Sequence, residues 1–142
     1  MIFLDTDHIS VLQHADSELA QSLLTRLSQG ADRDIATTAI TLEEQSRSWL
    51  SLIHRYSDAR RQVAYYDRFV AAFRFFARWR VAPFDDAAAV RFEELRSVRI
   101  RVASTDLKIA AICLVNGATL LSRNLADFLQ VPGLRVENWL SP

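Results

Sequence analysis

The sequence has very few of the residues that cross-link, break or anchor a polypeptide chain. Its one cysteine, Cys113, excludes a disulfide within the chain and lies in an apolar run, which predicts a core position. Three glycines and three prolines provide no linker and favour a compact, helix-rich fold. No apolar run approaches the roughly 20 residues of a membrane helix, and the opening MIFLDTDHIS lacks a basic leader. We therefore expect a cytoplasmic protein that forms one domain over residues 1–142.

Lysine and net charge are also scarce, but the charges are distributed unevenly. Lys108 is the only lysine, and 17 basic residues balance 17 acidic ones. Between Arg47 and Arg80, eight arginines are accompanied by only two acids, which leaves a net charge of +6 on that segment. Arginine offers a planar, two-pronged grip on phosphate, so the segment is a candidate phosphate-binding surface. A solvated helix face or a coding preference for arginine would produce the same pattern.

Short apolar strands alternate with amphipathic helices along the chain. Strands are predicted at 2–4, 34–38, 118–122 and 134–136. Helices are predicted at 17–28, from Thr41 with Glu44 as its capping-box partner, from Ser57 or Asp58 to about Arg80, from Asp85 or Asp86, and from Ser104 or Thr105 to Asn116. This alternation predicts an α/β fold in which helices cover both faces of a parallel sheet.

The longest predicted helix contains more apolar and aromatic residues than one core face can bury. Val63, Tyr66, Val70, Phe73 and Ala77 recur at helical spacing. The helices between Trp49 and Trp79 also carry further aromatic residues, namely Tyr56, Tyr65, Phe69, Phe75, Phe76 and Trp79. This surplus predicts an exposed aromatic patch, which is typical of an interface with another chain. The alternative is that these side chains pack against the neighbouring helix of the same chain.

Acidic and amide side chains occur where the predicted strands end and the helices begin. They are Asp5 and Asp7 after the first strand, Glu43 and Glu44 at the start of the helix after the second strand, Asp106 in the first turn of a later helix, and Asn124 and Asp127 after the strand at 118–122. Because the carboxyl ends of parallel strands meet at one edge of a sheet, we expect these side chains to lie along that edge.

Grouped carboxylates repel one another and bind protons unless a cation neutralises them. Oxygen ligands with few histidines and no cysteine suit Mg²⁺ or Mn²⁺, and such a metal can activate water against a phosphodiester. Each acid also has a structural explanation: Asp106 could complement a helix dipole, Glu44 could belong to a capping box, and Asp7 and Asp127 could stabilise turns. Asp5, which directly follows an apolar strand, is the hardest to explain in this way.

Three strings of residues are informative through their order and spacing. They are MIFLDTDHIS, TAITLEEQSRSW and STDLKIAAICLVNGATLLSRNLADFLQVPGLRVENW. Together they resemble the motifs of PIN-domain ribonucleases, in particular VapC-like toxins of toxin–antitoxin pairs, over nearly the whole chain. The resemblance implies a PIN-like three-layer sandwich with a short central parallel sheet flanked by helices. It also implies an endoribonuclease that uses Mg²⁺ or Mn²⁺, an RNA substrate, a cognate VapB-like antitoxin and a homodimer.

The resemblance also assigns roles residue by residue. It implies metal-binding carboxylates at Asp5, Glu44 and Asp106, and a fourth position at either Asn124 or Asp127. The residues that would act in catalysis are Asp5, Glu44, Asp106 and Asp127. One or two metal ions held there would activate water for cleavage of RNA.

The residues around these acids have supporting roles in the same hypothesis. Thr6 would orient the Asp5 carboxylate, as the threonine of the family does. His8 is the nearest candidate for a general base, although capping or packing is the simpler explanation for it. The basic segment would hold the RNA backbone through contacts that do not depend on base sequence. The helices between Trp49 and Trp79 would form the groove for the antitoxin's tail.

Two other functions are compatible with parts of the sequence. The string IFLDTDHI resembles the opening of haloacid-dehalogenase phosphatases, but Ile9 stands where that family has threonine or valine, and no Gly-Asp pair follows. A PIN-like module that binds RNA or protein without cleaving it is the second alternative, and Asn124 is the only sign of a degraded site.

Overall fold

The computed structural model describes residues 1–141. Within them, five strands form one sheet, and helices pack against it. The strands are β1 (Ile2–Leu4), β2 (Ile35–Thr38), β3 (Val81–Ala82), β4 (Thr119–Leu121) and β5 (Arg135–Glu137). All neighbours pair in parallel, in the order β3-β2-β1-β4-β5. The order changes direction at β1, so a crevice opens beyond the carboxyl ends of β1 and β4, where such sheets place their ligands.

Seven helices within residues 1–141 cover the two faces of the sheet. They are α1 (Thr6–Leu12), α2 (Glu18–Gln29), α3 (Ala39–His54), α4 (Ala59–Phe76), α5 (Asp86–Ser97), α6 (Ser104–Val115) and α7 (Leu125–Phe128). The predicted α/β fold, a short parallel sheet flanked by helices, is therefore confirmed. None of the helices in this range is long and apolar enough to cross a membrane.

The sheet separates two apolar cores, because successive residues of a strand point to opposite faces. Phe3 of β1 packs in one core with Phe92 of α5 and residues of α6. Its neighbours Ile2 and Leu4 pack in the other core with residues of α1, α2 and α4. Cys113 is fully buried in the first core, where burial raises the pKa of its thiol. The predicted core position of the cysteine is therefore confirmed.

Several predicted boundaries are wrong, and each has a local cause. Thr38, rather than Thr41, caps α3: its hydroxyl accepts the N–H of Thr41 at 3.1 Å, so the helix begins at Ala39. The proposed capping box with Glu44 is consequently absent. Helix α4 ends at Phe76 instead of continuing to about Arg80, because the chain must turn to pair β3 with β2.

Three short elements, α1, α7 and β3, were not predicted, and α7 has only four residues. Helix α1 follows β1 with no intervening loop, and its seven residues are too few to establish a periodic pattern. Strand β3 has only two residues and one neighbour, β2. The predicted end of α6 is confirmed, since Gly117 adopts φ +62° directly after the cap residue Asn116.

The apolar residues of α4 at helical spacing lie on the outside of the molecule. The exposed fractions are 57% for Val63, 48% for Tyr66, 46% for Val70 and 48% for Phe73. Helix α4 instead buries Ala72 and Phe76. Both alternatives left by the sequence apply to part of the aromatic residues: Tyr66 and Phe73 are exposed, whereas Phe75, Phe76 and Trp79 pack within the chain in the core of Ile2 and Leu4. We call Val63, Tyr66, Val70 and Phe73 the α4 stripe.

Candidate active site

Asp5 occupies the carboxyl end of the central strand and is 7% exposed. Its side chain caps α1 by accepting the N–H of Thr6 at 2.8 Å, and it accepts the hydroxyl of Ser122 at 2.7 Å. Burial, reinforced by the charges of Asp7 and Glu44, raises the pKa of Asp5 to about 6 despite these hydrogen bonds. A carboxylate in this position is unfavourable when ionised and attracts a proton or a cation.

Ser122 is a site residue that was not predicted from the sequence. Leu4 of β1 is paired with Leu121 of β4, so the next residues, Asp5 and Ser122, emerge side by side. The Ser122 hydroxyl donates to Asp5 and accepts the N–H of Asn124 at 3.0 Å. The signal was present in the sequence as a polar residue directly after an apolar strand, but only the strand register identifies its partner.

Glu44 reaches the site from the second turn of α3. The Thr6 hydroxyl donates to its Oε2 atom at 2.7 Å, whereas Glu43 is exposed and pairs with Arg47 at 3.4 Å. Thr6 therefore orients two carboxylates, Asp5 through its backbone N–H and Glu44 through its hydroxyl. Only the contact of Thr6 with Asp5 was expected from the sequence.

Asp106 enters the site from the first turn of α6, beside Asn124 and Asp127. Burial and the charges of Glu44 and Asp127 raise the pKa of Asp106 to about 6. The side-chain amide of Asn124 donates to Asp127 at 3.0 Å and, over 3.4 Å, to Asp106. Both candidates for the fourth ligand position thus adjoin Asp106, and the choice between them stays open.

Asp7 faces the site from α1 but has a different electrostatic environment. Burial alone would raise its pKa, but hydrogen bonds with His8 and from the backbone N–H of Arg123 lower it below the ordinary value. The Arg123 N–H lies 2.9 Å from Asp7. On the other side of the His8 ring, Nε2 accepts the N–H of Trp139 at 3.2 Å, so Nδ1 holds the proton shared with Asp7. Buried His8 thus packs and orients Asp7, and its ring nitrogens are both engaged.

The chemistry of these donors suits a hard divalent cation. Within residues 1–141, no three histidine, cysteine, aspartate or glutamate side chains stand close enough together to hold a metal ion as they are placed. Burial is the main cause of the raised pKa values of Asp5 and Asp106, and the charge of Glu44 contributes to both. Mg²⁺ usually binds proteins through one or two carboxylates and keeps several waters, so this oxygen-only set fits it.

The arginines between residues 47 and 80 are all exposed. Arg80 pairs with Asp34, and Arg47 pairs with Glu43. Arg61 and Arg68 lie over the rings of Tyr56 and Tyr65, at 5.9 and 5.8 Å from the ring centroids. The positive charge therefore lies on the surface of α3 and α4, outside the acidic site.

Solved structures with the same fold cover almost the entire chain. VapBC-1 from nontypeable Haemophilus influenzae matches with a TM-score of 0.74 and 20% identity, over 99% of this chain and 100% of the other. DNA-bound VapBC from Salmonella typhimurium matches with a TM-score of 0.70 and 22% identity, over 97% of each chain. A toxin–antitoxin complex from Klebsiella pneumoniae matches with a TM-score of 0.68 and 18% identity, over 98% of each chain. At these identities, the likeness establishes the fold.

No curated protein sequence matches the chain. The PIN-domain family model matches residues 2–134, which include every acid described above. With the parallel sheet and the acidic crevice at its carboxyl edge, this match shows that the chain belongs to the PIN-domain family.

Proposed function

We propose that this PIN domain is a metal-dependent endoribonuclease and the toxin of a VapC-like toxin–antitoxin pair. The observation that supports this most directly is the buried Asp5 carboxylate, which shares one sheet edge with Glu44 and Asp106. In this proposal residues 1–142 form one domain that acts in the cytoplasm. Its substrate is RNA, and its cofactor is Mg²⁺, for which Mn²⁺ can substitute.

The proposed roles follow from the contacts of each side chain. Asp5, Glu44, Asp106 and either Asp127 or Asn124 would hold the metal, which on binding supplies a water of lowered pKa and neutralises charge on the phosphate. Thr6 orients the carboxylates of Asp5 and Glu44 by direct hydrogen bonds. These fixed contacts reduce the reorganisation that the site needs when substrate arrives. The exposed arginines of α3 and α4 would bind the RNA backbone.

The α4 stripe is the surface that we assign to the antitoxin. An exposed apolar helix face of this kind suits an amphipathic segment that lays its own apolar side on it. A toxin–antitoxin complex is among the solved structures with this fold, which supports a partner of the same class here. A homodimer of the toxin remains a separate proposal, and light scattering of the purified chain measures it directly.

The decisive experiment is cleavage of total cellular RNA by the purified, antitoxin-free protein. We expect discrete products with Mg²⁺ and none with EDTA or with Asp5→Asn. The matched control is Asp86→Asn, which changes an exposed acid in the first turn of α5 and should cleave like the wild type. If the folded wild-type protein cleaves no RNA with any divalent metal, the nuclease proposal fails and a non-catalytic binding module becomes the better account.

A further inference from the structure

A groove leads away from the acidic site between α1 and the α3–α4 pair. One cavity of about 220 Å³ begins at Thr6 and includes Gln13, His14 and Trp49 in its lining. A second cavity of about 260 Å³ shares those three residues and ends at Arg68 of α4. The two cavities therefore form one groove, which follows α1 for about 10 Å from Thr6 to Gln13. Thr6 also donates to Glu44, so the groove opens directly beside the proposed catalytic carboxylates.

The lining of this groove differs from the acidic site in charge. In the described part of the chain, no aspartate or glutamate lines either cavity, and Arg68 at the far end is exposed. Gln13 donates to Gln45 at 2.8 Å, and Gln45 donates to Ser10 at 3.0 Å, which forms a floor of amides and hydroxyls. A groove with a cation, amides and an aromatic ring but no acid is suited to an anion that also presents flat polar rings.

We propose that this groove binds the unpaired nucleotides of the RNA that lie next to the phosphate to be cleaved. The inference rests on the proposed nuclease function and adds to it the residues of this chain that would bind the RNA strand beside the phosphate to be cleaved. The indole of Trp49 borders both cavities and offers a face on which an unpaired base can stack. Paired bases are already stacked on one another, so a duplex cannot use that face.

Arg68 completes the site by binding a backbone phosphate at the distal end of the groove. Its guanidinium lies 5.8 Å from the Tyr65 ring centroid, which favours a defined position above α4. The contact is electrostatic and independent of base sequence, whereas Gln13, which lines both cavities, can accept from a base edge through its amide oxygen. These contacts together hold the RNA strand in line with the carboxylates, so that cleavage occurs at a set distance from the stacked base.

The test measures binding without cleavage, by fluorescence anisotropy of a labelled, unstructured oligoribonucleotide in EDTA. Trp49→Ala should raise the Kd roughly 5- to 150-fold, the loss of one base–aromatic stack. Arg68→Gln, at an exposed position that should not affect folding, should lower the slope of log Kd against log salt by about 0.7. In a Trp79→Phe/Trp139→Phe background Trp49 is the only tryptophan, and RNA should quench its fluorescence.

Arg26→Gln is the matched control, because Arg26 is also exposed and lies over an aromatic ring, 4.6 Å from the Trp139 centroid. It should bind RNA like the wild type. Unchanged binding by both Trp49→Ala and Arg68→Gln, or equally tight binding of a fully paired duplex, would overturn the groove assignment. Asp5→Asn separates this result from the catalytic proposal, since it should retain RNA binding in EDTA while cleaving nothing with Mg²⁺.

Discussion

The acidic edge of the sheet and helix α4 are built in opposite ways. The edge brings together Asp5, Glu44, Asp106 and Asp127, which come from four separate elements. Helix α4 is one continuous segment of 18 residues whose outer face presents apolar side chains and arginines to solvent. The edge is thus a product of sheet topology, whereas the outer face of α4 is a product of helical periodicity.

The difference also concerns what each region lacks in the isolated chain. At the edge, carboxylates are desolvated and close to one another, so they lack a counter-charge. On α4, apolar side chains are solvated, so they lack a surface to cover them. The proposed metal and the proposed antitoxin would each supply what the corresponding region lacks. The following predictions test whether the two regions differ in this way, in order of decreasing effect.

The largest effect is expected for the two faces of α4. Phe76 is 5% exposed and Phe73 is 48% exposed, three residues apart on one helix. Phe76→Ala should lower the free energy of unfolding by about 3–5 kcal/mol, because it leaves a cavity in the core. Phe73→Ala should cost about 1 kcal/mol, mainly its edge-on contact with Phe69. Urea denaturation of both variants measures the difference, and equal losses would show that the Phe73 face is covered in the free chain.

The second effect is a dependence of stability on pH at the acidic edge. The pKa of Asp5 is about 6 in the fold and near 3.8 when unperturbed, so its ionised form destabilises the metal-free protein. Its contribution is fully present below pH 3.8 and is lost as the pH rises through 6, by on the order of 3 kcal/mol. The difference in unfolding free energy between wild type and Asp5→Asn, measured against pH, isolates this group.

Mg²⁺ should reverse that loss at neutral pH in the wild type and do so much less in Asp5→Asn. If the unfolding free energy of the wild type relative to Asp5→Asn does not change with pH, then Asp5 is not held as a buried, uncompensated carboxylate.

The third effect separates two adjacent glutamates. Glu44→Gln keeps an acceptor for the Thr6 hydroxyl but removes the charge, and should lower the rate of RNA cleavage about 100-fold, or about 2.7 kcal/mol. Glu43→Gln changes an exposed residue paired with Arg47 and should leave the rate unchanged. Single-turnover cleavage compares the two. If Glu43→Gln lowers the cleavage rate more than Glu44→Gln does, the assignment of Glu44 to the site is wrong.

The smallest effect is expected at Asp7, which supports the turn that contains Asn124 without belonging to the proposed metal ligands. Asp7→Ala removes the acceptor of the Arg123 N–H and should raise the Mg²⁺ concentration for half-maximal cleavage about tenfold. Asp7→Asn keeps an acceptor and should restore most of the affinity. Amide exchange of Arg123 in the metal-free protein provides a second measurement, and it should be faster in Asp7→Ala alone.

Part of the candidate site could be predicted from the sequence, because its acids follow apolar strands or open helices. Asp5 and the pair Asn124 and Asp127 were expected at the sheet edge for that reason, and the structure places them there. The hydrogen bonds of Ser122 with Asp5 and of Thr6 with Glu44 could not be predicted, since they depend on strand register and on the rotation of α3. The assignment of Asp5, Asn124 and Asp127 as metal ligands stays a prediction until metal binding is measured.

By itself, the sequence determined the fold class and the family, and it predicted which acidic residues form the candidate site. Alternating short strands and helices are a local property of the chain, and the three motifs occur in a definite order. Only the tertiary structure decided which side chains meet and which face of α4 remains open. The helical spacing of apolar residues shows that they share one face of a helix. That face is buried only when another element packs on it. Within residues 1–141, the four side chains of the α4 stripe stay about half exposed, whereas Phe76 is packed in the core of Ile2 and Leu4.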